Sequence, residues 1–126
     1  MSVAMRVGVS LLLLLVTFIS GLWLRRSGRP RPVALLTLHK FISLAAIVLI
    51  GLTVRQLGNA AGMSAVEISA VAVTGGLYLC AIASGGWLST EQPAPAAISA
   101  IHVVAPPLAV LATGVTIYLL TAGYGQ

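Results

Sequence analysis

Four stretches of this chain, Val7 to Leu24, Val33 to Val54, Ala65 to Leu88 and Ala96 to Ala122, are apolar along almost their whole length. A helix needs about 20 predominantly apolar residues to cross a hydrocarbon core of roughly 30 Å, and all four have the length. Lipid offers backbone amides no hydrogen-bonding partner, so each stretch must satisfy its own amides as an α-helix. The expected fold is all-α, an integral membrane four-helix up-and-down bundle with short loops joining antiparallel neighbours. The spans use up nearly all 126 residues, so one membrane domain over 1–126 is expected, with the lipid bilayer as its first partner. A chain that is 59% hydrophobic and 7% charged, with a mean hydropathy of +1.07, has too little polar surface to be a water-soluble domain.

The net charge of +5 does not point to nucleic acid, because the basic residues are not spread over a surface. Arg25, Arg26, Arg29, Arg31 and Lys40 gather in one connector and the helix start behind it. Arg6 and Arg55 are the only cations at the other ends of the spans. The positive-inside rule then puts the Arg-rich loop in the cytoplasm and both termini outside, in a multi-pass protein of the cell (inner) membrane. Arg6 and the apolar core Val9 to Ile19, with small Ser20 and Gly21 behind, imitate a signal peptide. The block Arg25-Arg26-Ser27-Gly28-Arg29 resists translocation, so the segment is expected to stay as an anchor. Glu67 falls at the outer entrance of the third span and Glu91 in an inner loop. The single cysteine, Cys80, has no intrachain partner and reads as an inert thiol. The outer connector is expected over Arg55 to Ser64, where Gly58, Asn59 and Gly62 are turn and helix-stop residues.

Compared with itself, the chain repeats. Ser20-Gly21-Leu22-Trp23-Leu24 and Ser84-Gly85-Gly86-Trp87-Leu88 share an SGxWL pattern at the same end of both odd-numbered spans. Each is followed by P-x-P, Pro30 and Pro32 then Pro93 and Pro95, and by a histidine at the same spacing, His39 and His102. Ala46 matches Ala109, Gly51 matches Gly114 and Thr53 matches Thr116. Leu and Ala matches alone would be accidents of apolar composition, but both tryptophans and both histidines of the chain pair in order. Two tandem two-helix repeats are expected, about 7–57 and about 65–122. Each has an even number of spans, so the copies insert the same way round, about a pseudo-two-fold axis along the membrane normal.

Intramembrane histidines are functional candidates because an ionisable side chain in a span is costly. Each lies about six residues into its helix, roughly 9 Å at 1.5 Å per residue, so the two share one level. In an up-and-down bundle helices two and four are diagonal, and the pseudo-symmetry points both rings at the central axis. Two facing neutral imidazoles are what a haem iron takes as axial ligands. Ser43 and Ala46 share the His39 face, and Pro106 and Ala109 the His102 face, leaving room beside a flat macrocycle. Pro106 also deprives the His102 carbonyl of its helical donor, which opens a local bend. Arg25, Arg26, Arg29, Arg31 and Lys40 are candidates to pair with the propionates.

The run Ser20-Gly21-Leu22-Trp23-Leu24, followed by Leu38-His39-Lys40, resembles the bis-histidine transmembrane b-type cytochromes, the cytochrome b superfamily. The resemblance implies a haem b held between histidines of alternate helices, and exchange of electrons with a quinone, a redox partner protein or a larger membrane complex. Many members hold two haems with four histidines; this chain has two histidines, which sets one haem as the limit. His39 and His102 are the candidate iron ligands. The expected function is a membrane-embedded mono-haem b-type electron carrier, rather than a stand-alone enzyme.

Other readings compete. The histidines can act as polar glue between helices, with Ser43 or Ser99 as partners, in a cofactor-free structural or assembly subunit of a larger complex. A small transporter is a third class, but the four-helix drug–proton exchangers need a carboxylate in the first span, and none is present there. A metal ion other than haem iron lacks carboxylate or thiolate ligands beside the histidines. No serine or cysteine is flanked by the base and acid of a nucleophilic enzyme. Trp23 and Trp87 belong to the headgroup belt. Thr53 and Thr116 are expected to return their hydroxyls to their own helix backbones. Gly75, Gly76, Gly85 and Gly86 are small-residue contacts that let helices approach.

Overall fold

A computed structural model describes residues 1–122, without the side chains of Ala60 and Ala61. It contains four α-helices: α1 Val3–Arg26, α2 Val33–Ala61, α3 Ala65–Leu88 and α4 Ala96–Ala122. Each is long and apolar enough to cross a membrane, and the chain is a multi-pass membrane protein. The shortest helices, at 24 residues, extend about 36 Å, enough for the hydrocarbon core with a turn to spare. Large apolar side chains such as Phe41, Leu79 and Leu111 lie 68% exposed, which is costly in water and neutral in lipid.

Local chemistry sets the helix ends. Ser2 caps α1 by accepting from the Met5 amide at 3.2 Å, and Arg25 and Arg26 occupy its last turn, where the helix dipole favours cations. Gly28, at φ +71°, then leads the chain away. Pro30 and Pro32 forbid helix up to Val33, where α2 begins. A capping box starts α3: Ser64 Oγ accepts from the Glu67 amide at 3.3 Å, and the Glu67 carboxylate accepts from the Ser64 amide at 2.6 Å. Glu67 is therefore accounted for by the helix start.

The outer connector is shorter than the sequence suggests. α2 continues through Arg55, Gly58 and Asn59 to Ala61, leaving only Gly62, Met63 and Ser64 as linker. The buried stripe of Ala46, Ile50, Thr53 and Leu57 explains why: helical spacing runs past Val54 without a break. Burial on that face outweighs the weak helix propensity of Gly58 and Asn59. The stop is Gly62, whose φ of +73° a side chain would oppose.

The chain divides into two compact units, one ending at Thr53 and one beginning at Val54. In the first, Leu14 and Leu24 of α1 and Ala46 and Ile50 of α2 are buried. The Ser10 hydroxyl, only 4% exposed, has no hydrogen-bond partner among the described residues. In the second unit α3 and α4 run antiparallel, joined by two hydroxyl pairs. Thr74 and Thr116 meet at 3.0 Å, and the Tyr78 hydroxyl meets Thr113 Oγ1 at 3.0 Å. Thr113 gives its own proton to the Ala109 carbonyl at 2.7 Å, so Tyr78 is the donor. Of the two threonines expected to bond their own helix, Thr53 does, to the Leu49 carbonyl at 2.8 Å; Thr116 pairs across to α3 instead.

Candidate functional site: two histidine seats

Each unit seats one histidine against the Ser–Gly pair of the preceding helix. Ser20 lies six residues before the end of α1 (26 − 20) and His39 six residues after the start of α2 (39 − 33), and antiparallel pairing brings them together. His39 Nδ1 lies 2.9 Å from Ser20 Oγ. The Ser20 hydroxyl donates to the Thr17 carbonyl at 3.0 Å, so its oxygen accepts from the ring, and Nδ1 is assigned the proton. In the second unit His102 Nδ1 lies 3.2 Å from Ser84 Oγ and 3.1 Å from the Ala81 carbonyl. A carbonyl can only accept, so Nδ1 again carries the proton; Ser84 gives its own to the Cys80 carbonyl at 2.6 Å. In both rings Nε2 is then the nitrogen with the lone pair.

The glycines set how close the rings come. A Cβ on Gly21 would stand 3.1 Å from His39 Cε1, and one on Gly85 only 2.6 Å from His102 Cε1. The SGxWL segment thus splits by helical rotation. Ser20 and Leu24 turn inward and are buried, Gly21 lies beneath the ring, and Leu22 and Trp23 face outward.

The seats differ in what Nδ1 meets: Ser20 Oγ at His39, and both Ser84 Oγ and the Ala81 carbonyl at His102. An average intramembrane hydrogen bond contributes roughly 0.6 kcal/mol. Ser20→Ala and Ser84→Ala are each expected to lower unfolding stability in mixed micelles by about that amount. Unchanged stability in both variants would overturn the assignment of these hydroxyls as partners of the rings.

The other candidate residues are distributed as follows. Ala46 and Ala109 are fully buried, and Pro106 is half-buried within α4, which continues through Pro106 and Pro107. Ser43 donates to the carbonyl of His39 itself, and Ser99 is exposed, so the hydroxyls that hold the rings are Ser20 and Ser84 instead. Arg25 and Arg26 close α1, Arg29 and Arg31 lie in the loop, and Lys40 is exposed next to His39. Cys80 is exposed. Among the described residues no three His, Cys, Asp or Glu side chains gather as a metal site. Haem brings four ring nitrogens of its own and asks only for axial ligands, and a neutral imidazole fixed through Nδ1–H is the form that supplies one.

Sequence reasoning did not identify Ser20, Gly21, Ser84 and Ala81 as partners of the rings. The usable signal was present: in a helical hairpin, residues at similar distances from the turn face one another, and each histidine has a Ser–Gly pair within about a turn of that mirror position. Compared with protein families, curated proteins and solved structures, the chain matches none.

Proposed function

We propose that this protein is a membrane-embedded mono-haem b-type electron-transfer protein or subunit, with His39 and His102 as the axial ligands of one haem b. The observation that carries the reading is the shared seat: each ring's Nδ1 meets an oxygen of the preceding helix, Ser20 Oγ at His39 and the Ala81 carbonyl at His102, and an Nδ1–H held in this way orients Nε2 and raises its basicity as a ligand. A haem so held supplies reversible one-electron chemistry, with a quinone or a redox partner protein on the other side of the exchange. The protein's own part is to fix both imidazoles, exclude water from them and set their electron donation through Ser20, Ser84 and Ala81.

Two tandem repeats are part of the same proposal, supported by burial. Ser10, Leu14 and Ser20 correspond to Thr74, Tyr78 and Ser84, and Ala46, Ile50 and Thr53 to Ala109, Thr113 and Thr116; all twelve are buried. The Arg-rich loop is assigned to the cytoplasm by its charge and both termini to the outside. Arg25, Arg29, Arg31 and Lys40 are proposed to face the propionates. The test is the reduced-minus-oxidised absorption spectrum of purified protein with pyridine haemochrome analysis. One haem b per chain is expected, and protein purified without haem bands rejects the reading.

A second reading has its own observation: the Ser20–His39 and Ser84–His102 bonds tie α1 to α2 and α3 to α4 with no cofactor involved. On that reading the chain is a structural subunit of a larger membrane complex, colourless and stoichiometric with its partners.

A further inference from the structure

The outward face of the SGxWL segment forms a shallow groove in each unit, from corresponding positions. In α1 it is lined by Ile19, Leu22, Trp23, Arg26 and Ser27. In α3 and the loop behind it, the lining is Ala83, Gly86, Trp87, Thr90, Gln92 and Pro93. Spacings of three and four residues keep Ile19, Leu22, Trp23 and Arg26 on one helical face, turned away from the face that carries Ser20 and Leu24. From Ile19 to Arg26 the groove rises about 10 Å, ending at the last residue of the span. It therefore runs from the hydrocarbon to the headgroup level, with an apolar wall at one end and a guanidinium at the other.

The charge differs between the two grooves. The first ends in Arg26, exposed and in the last turn of α1, beside Trp23, which is 63% exposed. At the corresponding place the second has Thr90 and Gln92, with no cation. We infer that the α1 groove binds an anionic phospholipid, its phosphate on the Arg26 guanidinium and an acyl chain along Trp23, Leu22 and Ile19, and that the α3 groove has no such preference. Arginine suits this role because its planar fork can hold two phosphate oxygens at once, and an indole at that depth covers the glycerol region while its ring stays in the apolar layer. Arg26 is thereby set apart from the other basic residues, whose proposed partners are carboxylates of the cofactor.

The site reads out through its own tryptophan. Protein carrying Trp87→Phe, so that Trp23 is the only emitter, is reconstituted in vesicles of phosphatidylcholine with a minor share of brominated phosphatidylglycerol, or the same share of brominated phosphatidylcholine. The ratio of quenching by the two lipids in one preparation does not depend on whether haem is bound, so this test stands apart from that of the haem proposal. Trp23 is expected to be quenched at least about twofold more by the anionic lipid, with the preference lost in Arg26→Gln, kept in Arg25→Gln and restored in Arg26→Lys only in part. Trp87, isolated by Trp23→Phe, is expected to show no preference. Equal quenching of Trp23 by both lipids, or a preference that persists in Arg26→Gln, would overturn the inference. So would its abolition by excess inorganic phosphate, which would identify a soluble anion as the occupant.

Discussion

If one haem b is held as proposed, alanine at His39 or at His102 is expected to remove most of it, and alanine at both to leave none. Altering a group that merely orients a ligand costs 10- to 100-fold in metal affinity, and deleting the ligand costs at least about 100-fold. Both rings lie against the preceding helix and help to hold the unit together, so lost colour must be separated from lost fold. Helical circular dichroism of each variant makes that separation. Imidazole added to the single variants provides a second control, since it can enter the space left by the side chain and return a nitrogen to the iron. Recovery of the reduced-minus-oxidised bands with imidazole is the expected result. Undiminished bands in the double variant would remove these histidines from the role of ligands altogether.

Alanine at Gly85 is expected to destabilise the protein by about 1–3 kcal/mol, the range for overpacking a filled site. The added methyl would stand 2.6 Å from Cε1 and 3.2 Å from Nδ1 of His102. That ring cannot swing aside without releasing Ser84 and the Ala81 carbonyl together. Gly21→Ala presents a milder clash, 3.1 Å from His39 Cε1, which a displacement of a few tenths of an ångström relieves. Alanine is about 1 kcal/mol better than glycine inside a helix, enough to offset that displacement, so Gly21→Ala is expected to be near neutral. Gly86→Ala, with nothing within 4 Å of the new methyl, is expected to gain the helix propensity unopposed. Unfolding in mixed micelles orders the three variants. Gly85→Ala as stable as Gly86→Ala would show that His102 does not hold the position described.

How much of this was legible beforehand follows from the range over which each interaction acts. The start and end of α3 and the start of α4 coincide with the limits of their apolar runs, because capping serine, proline and lipid compatibility all act within a few residues of the chain. The far end of α2 was not legible in the same way. Gly58 and Asn59 look like stops when read locally, and become helical because Thr53 and Leu57 continue a buried face. Likewise Ser20-Gly21 looks like the small-residue end of a signal sequence until its histidine lies across it.

The sequence by itself determined that there are four apolar helices, where prolines reverse the chain, and that each half carries one histidine six residues after the start of its second helix, 39 − 33 and 102 − 96. Those properties need only hydropathy, backbone sterics and counting along a helix. Only the tertiary structure decided which atoms the histidines meet, that Gly21 and Gly85 lie under imidazole rings, and that Trp23 and Arg26 share an outward groove. Contacts of that kind depend on the rotation and axial register of one helix against its neighbour. Both are set by the packing of a whole interface at once, so no local stretch of residues specifies them.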